Sequence, residues 1–493
     1  MKTTGQMSER GIFGVPARIM MPRIILFVCT FVLVIFGLLM IFSASSITAL
    51  HDYGDAAYYL NKQLAACIAG LVALLALMFI DYRIWTRWLL ALVWLGTMAL
   101  LVLVYFSSYG QDAYGATRWI SIAGFNLQPS EFSKVTMVLV GSELLVQFFE
   151  ERSYTSARFA AHALIAIGLP VVLIGLQPDK GTVGIIGITL LIMSYLAGAP
   201  NLIVGGLFGV AIVGGLAAGF ADPYSRARIE TMINPFLDPY GAGWQLRQGF
   251  YAFGTGGLFG VGLGMSRQKY SYLPFAHNDF IFAVVGEELG FIGVLAVIAV
   301  FALLVWAGFK IAQQAPDLRG KLIASGCSIL FGVQFMLNVL GVIGFFPLSG
   351  KPVPFISYGG SSIISSLMLI GLLGSVSLRS TLPKTVYERR RDRLHLAGDG
   401  VDLNVGQSAA SGRPGSPRRN VNLSGPSSRQ VSSFSSSSST SSRRGSWTRI
   451  DLDYDPADRL RLHDDTARTR GSEGLSHVGR ARRNRRSERV REP

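Results

Sequence analysis

Asp279 is the residue whose type and position most favour chemistry. It directly follows a long polar segment and directly precedes the apolar run FIFAVVGEELGFIG. A carboxylate at the rim of an apolar helix is partly desolvated, which raises its pKa and suits a general base that works near neutral pH. From the local sequence alone, the alternative is that Asp279 is the N-cap of the helix that follows it.

Seven cationic residues in the polar segments of the chain are candidates for binding an anion. Arginine binds phosphate bidentately and lysine binds it as a point charge, so such a group fits an anionic lipid headgroup or a pyrophosphate. The alternative is that these residues are solvated loop charges or pair with Glu230, Asp222 and Asp238. The candidates are Arg118, Lys180, Arg226, Arg228, Arg267, Lys269 and Lys351.

Several ionisable residues lie within or beside apolar segments, where a charge is costly and by default marks function. Glu131 and Lys134 are three residues apart, so on a helix they share a face and can pair. Asp179 lies at a break between two apolar runs, and this corner is predicted to face a cavity, because lipid does not tolerate exposed irregular backbone. Glu287 and Glu288 are expected to form hydrogen bonds between helices rather than to do chemistry. The predicted intramembrane polar network consists of Glu131, Lys134, Asp179, Glu287, Glu288 and Asn338.

The elements that position these residues are predicted to be membrane-spanning helices. Of the 493 residues, 50% are apolar and only 15% are charged, whereas soluble proteins carry about 25% charged residues. About 20 apolar residues are needed to cross the ~30 Å hydrocarbon core. We therefore predict an all-α polytopic membrane protein with about ten transmembrane helices. The predicted spans are 24–46, 59–81, 84–106, 130–149, 159–177, 181–198, 200–220, 278–308, 321–346 and 359–378.

The distribution of Lys and Arg in the short loops predicts the orientation of these spans. Arg83 and Arg87, and then Arg152 and Arg158, fall in alternate connections, which are therefore cytoplasmic. An even number of spans places both termini on that same side. The other connections face outward, and the largest is the segment 221–277 between the seventh and eighth spans. A connection of this length is more often functional than idle.

The chain divides into a short cytoplasmic N-terminal segment at 1–23, a transmembrane domain at 24–383 and a basic cytoplasmic tail at 384–493. The tail is predicted to be disordered, because runs such as SSFSSSSSTSSRRGS cannot bury enough apolar surface to offset the entropy of ordering. It holds 23 basic and 13 acidic residues, and so carries most of the net charge of +15. Its segment 446–463 is either a partner-binding motif or part of an inert tether, and no nucleic-acid partner is predicted.

The remaining motifs exclude several classes of site. The Gly-rich stretch GTGGLFGVGLG at 254–264 follows no strand, so it is not a dinucleotide-binding turn, and GFFPLSGKP at 344–352 lacks the spacing of a phosphate-binding P-loop. The three cysteines lie in apolar runs, where cysteine behaves as a small hydrophobe. The sequence therefore requires no cofactor and predicts no metal site, and it gives no support for a divalent cation at a bound pyrophosphate.

Four blocks of the sequence resemble the signature blocks of the SEDS family of membrane proteins (shape, elongation, division, sporulation). They occur in the expected order and the likeness covers about residues 20–380. Within the family, SRQKYSYLP is more similar to the cell-division branch, FtsW and its sporulation relative SpoVE, than to the RodA branch. The four blocks are QPSEFSK at 128–134, QPDKGT at 177–182, GGLFGVGLGMSRQKYSYLPFAHNDFIFAVVGEELG at 256–290 and FPLSGKPVPFISYGGSS at 346–362.

The resemblance implies a ten-helix peptidoglycan glycosyltransferase that polymerises lipid II on the outer face of the bacterial cytoplasmic membrane during cell division. In such enzymes the Asp of the HTDF block, here Asp279 in HNDF, is the essential carboxylate and proposed general base. It would take the proton from the GlcNAc 4-hydroxyl of one lipid-linked disaccharide as that oxygen attacks the anomeric carbon of MurNAc on another. Undecaprenyl pyrophosphate would then leave.

The chain departs from the family pattern in several places near this block and the last outer loop. Phe275 stands where the family usually has Glu, and Ser271 where some relatives carry another acid, so accessory carboxylates of the loop are missing. Asn278 stands where the family has Thr. Ser349 stands in the position of the usual Thr or Lys before the Gly of the last block, which adds it to the candidate residues for the lipid II headgroup. Lys351, two positions later, either takes over a cationic role or is a solvated loop lysine.

Two other functions remain open from the sequence. Broken helices and intramembrane charges would also serve a lipid II translocator, which needs its key charges near the midplane of the bilayer, whereas a polymerase needs them at the outer mouth. A non-catalytic scaffold of the division machinery is the third possibility. The resemblance implies lipid II and the growing glycan strand as substrates and a class B penicillin-binding protein as partner. It also implies division-machinery contacts, through the tail, at the septum.

Overall fold

The computed structural model describes residues 11–380, except 13–14, 86, 107–109, 114–115, 123–124, 237, 239, 242 and 271. The predicted tail at 384–493 and the first ten residues of the N-terminal segment lie outside the described residues. What the sequence predicts for these two segments therefore stays a prediction.

Ten helices in the described part of the chain are long and apolar enough to cross a membrane, which confirms the predicted all-α multi-pass class. The fifth span consists of α5 and α6 joined by a π-helical turn at Leu164–Gly168. The helices are α1 Ala17–Tyr53, α2 Tyr58–Phe79, α3 Arg87–Phe106, α4 Pro129–Phe149, α5 Ser156–Ala163, α6 Leu169–Leu176, α7 Lys180–Ala197, α8 Asn201–Ala221, α9 Pro223–Ile233, α10 Trp244–Gly256, α11 Ile281–Gln313, α12 Leu318–Val342 and α13 Gly360–Leu378.

The connections at the end of the bundle that carries Asp279 contain regular structure of their own. This end is called the outer end, following the predicted orientation. The segment 221–277, expected as a loop, contains α9 and α10, and α9 begins with Pro223 after Asp222, whose side chain accepts a hydrogen bond from Ser225 N at 3.2 Å. Of two small antiparallel sheets, one lies between α3 and α4 at this end, and the other directly precedes α1. Their strands are β1 Gly11–Ile12 and β2 Val15–Pro16, and β3 Gly110–Ala113, β4 Ala116–Ile122 and β5 Phe125–Leu127.

The ten spans differ strongly in how much of their surface the protein covers. Helices α4, α12 and α13 are mostly buried in the bundle, whereas α8 and the fifth span expose almost all of their apolar surface. Polar side chains on a lipid-exposed helix would be costly. The predicted polar residues Glu131 and Lys134 lie on α4 and Asn338 lies on α12, so the most buried helices carry them.

Gly37 on α1 allows a close approach to the chain between α12 and α13, and we expect Gly37→Ala to destabilise the protein. A methyl group there would lie 2.8 Å from Ile356 Cα, so one backbone must move, at a cost of about 1–3 kcal/mol or more. Gly96→Ala on α3 is the control, because nothing lies within 4 Å of that position. Thermal unfolding in detergent should show a lower midpoint for Gly37→Ala only, and equal midpoints would contradict the close contact.

Candidate functional site

Asp279 lies in the last turn of chain before α11 and does not cap that helix. The N-cap position of α11 is Phe280, and no side chain forms a capping hydrogen bond there. The capping alternative from the sequence is therefore wrong. The backbone carbonyl of Asp279 is fixed by Asn338 on α12, whose Nδ2 donates to it at 2.9 Å. The carboxylate of Asp279 is thus left for another role.

Asp279 and Arg228 meet around Gly350, in the loop between α12 and α13. A Cβ atom at Gly350 would lie 3.6 Å from Asp279 Oδ2 and 3.6 Å from Arg228 Nη1. The same guanidinium nitrogen donates to the carbonyl oxygen of Leu348. Gly350 has a left-handed φ of 64°, which glycine adopts without steric cost. Three distant parts of the sequence therefore bring a carboxylate and a guanidinium into one small space.

The charge state of Asp279 is set by two opposing effects. Burial raises the pKa of the Asp279 carboxyl above its ordinary value, because it disfavours the charged form. The positive charges of Arg228, Lys351 and Arg118 oppose this rise. Three of the seven candidate cations therefore act on Asp279, and a carboxylate with a raised pKa is suited to taking a proton.

Lys351 is a buried ion-pair partner and not a solvated loop lysine, since its side chain is only 1% exposed. Its Nζ lies 2.8 Å from Asp179 Oδ2 and 4.0 Å from Glu131 Oε1. Asp179 also accepts hydrogen bonds from Ser130 Oγ at 2.7 Å and from Thr182 Oγ1 at 3.0 Å. These contacts join α4, the start of α7 and the loop that carries Gly350.

The polar network continues from Glu131 along α4 and α12. Glu131 Oε2 and Lys134 Nζ lie 2.7 Å apart, which confirms the pairing that their spacing predicts. Lys134 also donates to Gln334 Oε1 at 2.7 Å, and Gln334 Nε2 donates to Pro352 O at 2.8 Å. Sequence reasoning missed Gln334. It lies four residues before Asn338, so the two share one face of α12, and that spacing could have revealed it.

Arg118 and Ser349 lie at the corner where α7 begins. From β4, Arg118 Nε donates to Gln177 O at 3.0 Å and its Nη2 donates to Pro178 O at 2.6 Å. A Cβ at Gly181 would lie only 2.9 Å from Ser349 O, so the loop that carries Ser349 packs directly on the first turn of α7. At the break before α7, Gln177 and Asp179 are therefore buried against protein, whereas Pro178 and Lys180 are exposed.

Two candidate cations form ion pairs within the outer segments, as the alternative interpretation expects. Lys180 Nζ lies 3.0 Å from Asp222 Oδ2, and its hydrogen bond lowers the pKa of the Asp222 carboxyl to about 2. Arg226 Nε lies 2.9 Å from Glu230 Oε1, with both side chains more than half exposed. Neither contact includes Asp279 or its neighbours.

Glu288 forms the predicted hydrogen bond between helices, whereas Glu287 binds mainly the segment between α10 and α11. Glu288 Oε1 accepts from Ser43 Oγ on α1 at 2.6 Å and lies 3.5 Å from Lys269 Nζ, which is buried. Glu287 accepts from the Oγ of Ser266 and, at 3.0 Å, from the backbone N–H of Arg267. Lys269 is therefore a buried ion-pair partner, while the side chain of Arg267 is exposed.

The turn before Asp279 is held by an aromatic cluster that the sequence analysis did not predict. The ring of His277 lies 4.6 Å from that of Tyr59 and 5.7 Å from that of Tyr358, centroid to centroid. Tyr358 N also donates to His277 O at 2.9 Å. Burial lowers the pKa of His277 to about 4, so its imidazole is neutral near neutral pH. Among the described residues, no group of three His, Cys, Asp or Glu side chains could hold a metal ion.

The sequence of the chain matches known proteins over most of its length. The family model described as "Cell cycle protein", for FtsW, RodA and SpoVE, matches residues 23–382. A probable peptidoglycan glycosyltransferase FtsW from Trichlorobacter lovleyi is 39% identical over 365 residues, which cover 73% of this chain and 94% of that protein. Stage V sporulation protein E from Bacillus subtilis is 38% identical over 361 residues, which cover 72% and 97%.

Solved structures agree with this assignment. One similar chain comes from work on the structural coordination of polymerization and crosslinking by a peptidoglycan synthase complex. It superposes with a TM-score of 0.58 at 26% identity and covers 73% of this chain and 98% of its own. The rod shape determining protein RodA from Thermus thermophilus superposes with a TM-score of 0.51 at 26% identity, over 73% and 97%. The chain therefore belongs to the FtsW/RodA/SpoVE family of cell cycle proteins.

Proposed function

We propose that this chain polymerises lipid II into glycan strands at the outer face of the cytoplasmic membrane, with Asp279 as the general base. That it is a peptidoglycan glycosyltransferase follows from its family and from relatives that carry this name. The role of Asp279 as the base is supported by the proximity of Asp279 and Arg228 to each other around Gly350. A base there can take the proton of the attacking hydroxyl, and a fixed positive charge can stabilise the departing pyrophosphate.

In the proposed step, Asp279 takes the proton of the GlcNAc 4-hydroxyl of one lipid-linked disaccharide. The oxygen forms a bond to the anomeric carbon of MurNAc on the second, and the bond from that carbon to the pyrophosphate oxygen breaks. The electron pair leaves with undecaprenyl pyrophosphate. Negative charge therefore grows on the leaving group, and a preorganised cation nearby stabilises it.

Arg228 is the cation that we propose for the departing pyrophosphate. Its Nη1 and Asp279 Oδ2 each lie 3.6 Å from the Cβ position of Gly350, whereas Lys351 and Arg118 bind at the corner around Asp179, Gln177 and Pro178. Lys180, Arg226 and Lys269 pair with acidic side chains. The roles predicted for these cations, for Arg267 and for Ser349 stay predictions.

A matched pair of arginines on α9 tests the proposed function. Purified protein with lipid II should form glycan chains, and Arg228→Gln should lower the rate about 10²- to 10³-fold, as the loss of one preorganised donor does. Arg226→Gln should leave the rate nearly unchanged, because its exposed pair with Glu230 contributes little. Absence of polymerisation by the wild type, alone and with its partner, would refute the function, and equal rates of the two variants would refute the role of Arg228.

The pH dependence of polymerisation should report the pKa of Asp279. The base works only when ionised, so kcat/KM should fall as the pH falls through that pKa. Because burial raises it, the acid limb should lie above the ordinary value for aspartate, about 3.9. Arg228 opposes the rise, so Arg228→Gln should move the limb to higher pH, while Arg226→Gln should leave it in place. An acid limb that does not move in Arg228→Gln would contradict the electrostatic coupling.

No contact among the described residues favours lipid II translocation over polymerisation. Glu131 lies in the first turn of α4 and Asp179 directly precedes α7, so this buried charge cluster lies at the outer ends of helices. A transporter would place its binding charges near the midplane. Transfer of lipid II across liposomes by Asp279→Asn protein would support translocation as a separate activity.

We propose that the chain acts at the division septum with a class B penicillin-binding protein, which crosslinks the strands that the chain produces. Two observations support this pairing: the sequence likeness to proteins named FtsW, and the likeness to a chain from a peptidoglycan synthase complex. Co-purification with such a partner, and a higher polymerisation rate in its presence, would test the pairing. Contacts between the tail at 384–493 and division proteins stay a prediction.

A further inference from the structure

The segment between α10 and α11 exposes an apolar surface, here called the 258–265 patch. Of its eight residues, five have apolar side chains and the other three are glycines. Such a concentration of exposed apolar surface marks a contact with lipid or protein rather than with water. The exposed fractions are 63% for Leu258, 80% for Phe259, 40% for Val261, 62% for Leu263 and 67% for Met265.

The patch is fixed to α11 at a break in that helix. Gly290 has a left-handed φ of 68°, which interrupts the helical backbone there. Four backbone hydrogen bonds join the patch region to residues on either side of the break, and they satisfy polar groups that lipid cannot. Written with the donor first, they are Val261 N to Glu287 O at 3.0 Å, Gly262 N to Glu288 O at 3.0 Å, Phe291 N to Gly257 O at 2.9 Å and Ile292 N to Leu258 O at 3.2 Å.

Two helices independently give the height of the patch relative to the bilayer. Gly290 lies 20 residues from Lys310 near the cytoplasmic end of α11, and at 1.5 Å per residue this is about 30 Å. On α1, Ser43 contacts Glu288 and lies 20 residues from Arg23, which binds Ser377 at the cytoplasmic end of α13. Both distances equal the ~30 Å thickness of the hydrocarbon core. With Lys310 and Arg23 taken as the inner boundary, both helices place the patch at the outer boundary of the hydrocarbon.

The patch is continuous with a surface that already faces lipid. Phe291 and Ile292 on α11 are 55% and 52% exposed, and their backbones bond directly to the patch region. Further along the chain, Tyr270 and Tyr272 are exposed. Tyrosine is enriched where a protein crosses the membrane–water interface. The apolar loop is thus bonded to an exposed apolar helix and followed in sequence by exposed aromatic side chains.

We propose that the 258–265 patch inserts into the outer leaflet and contacts the acyl chains of its lipids. The occupant is the bilayer itself, because the patch has the height and the continuity of a lipid-facing surface. The insertion fixes to the membrane the same segment that leads to Asp279, independently of whether Asp279 is the base.

Spin labelling of the full chain in liposomes tests this insertion. Labels at Phe259→Cys and Met265→Cys should relax more strongly with oxygen, which concentrates in lipid, than with a nickel chelate, which stays in water. Leu295→Cys on α11 provides the lipid-facing reference, and Tyr240→Cys, 86% exposed, provides the aqueous reference. The native Cys29, Cys67 and Cys327 are buried, and labelled wild type measures their background.

Each outcome decides the proposal. Oxygen-to-nickel ratios at both patch positions that match Leu295→Cys, and exceed that of Tyr240→Cys severalfold, would support insertion. Nickel accessibility equal to that of Tyr240→Cys would overturn it, because the patch would then lie in water. Protection from both reagents would also overturn it, because protein, such as a second copy of the chain, would then cover the patch. Polymerisation by each labelled variant shows separately that it is folded.

Discussion

Asp279→Asn is expected to abolish most glycan polymerisation while the protein remains folded and still binds lipid II. Asparagine keeps the shape of the side chain but cannot accept the proton of the attacking hydroxyl. Loss of a general base lowers rates about 10²- to 10⁴-fold. Because Asn338 holds the backbone carbonyl of Asp279 and not its carboxylate, the fold should not depend on the charge. The measurement is the rate of chain formation from purified lipid II, with binding measured separately.

The control for this substitution is Asp52→Asn at the outer end of α1. That carboxylate is 45% exposed and pairs with the exposed His51, so the rate should stay within about twofold of the wild type, as surface changes have small effects. If Asp279→Asn polymerises at a comparable rate, Asp279 is not the base, although the enzyme class would stand. A loss of lipid II binding as large as the loss of rate would assign Asp279 to binding instead.

Lys351→Met should destabilise the protein far more than Lys180→Met. Removal of the ammonium leaves Asp179, which is 1% exposed, without its ion-pair partner at 2.8 Å and with Glu131 close by. Breaking a buried pair from one side costs about 3–5 kcal/mol. Thermal unfolding in detergent should show a large fall in the midpoint. Lys180→Met is the neighbouring control, and its exposed pair with Asp222 contributes only about 0–1 kcal/mol.

A second substitution separates charge from packing. In Lys351→Met/Asp179→Asn, the uncompensated buried charge is removed, and Glu131 retains Lys134 at 2.7 Å. The double variant should therefore recover much of the lost stability, since replacement of both partners is far less costly than removal of one. An additive loss in the double variant would show that the contacts of Lys351 are dominated by packing rather than by charge.

The spans and the local pairs could be predicted from the sequence because both depend on short-range patterns. Runs of about 20 apolar residues gave the ten helices, and the spacing of Glu131 and Lys134 gave their contact. The helix α9 was missed because it has only eleven residues and its charged residues Arg226, Arg228 and Glu230 alternate with apolar ones. Without that helix, Arg226 and Arg228 could not be distinguished. Residues two apart lie on different faces of a helix, so only one of them turns toward Gly350.

The arrangement around Asp279 could not be predicted because it depends on contacts between distant segments. Lys351 forms an ion pair with Asp179, which is 172 residues away in sequence. Burial of that pair follows from the packing of α4, α7 and the last outer loop. From the sequence alone, a lysine in a loop looks solvated. In the sequence, Gly350 appeared within a rejected P-loop pattern and within the last family block, and neither indicated that its left-handed backbone lets the carboxylate and the guanidinium come together.

The side-chain amide of Asn338 connects Asp279, the proposed base, to Lys351 of the neighbouring ion pair. Its Nδ2 donates both to Asp279 O at 2.9 Å and to Lys351 O at 2.8 Å. A displacement of the loop between α12 and α13 is therefore coupled to Asp279 through the side chain of Asn338, and a displacement of Asp279 is coupled to the loop in the same way. We therefore expect a protein that binds this loop to change the position of Asp279 without touching the substrate.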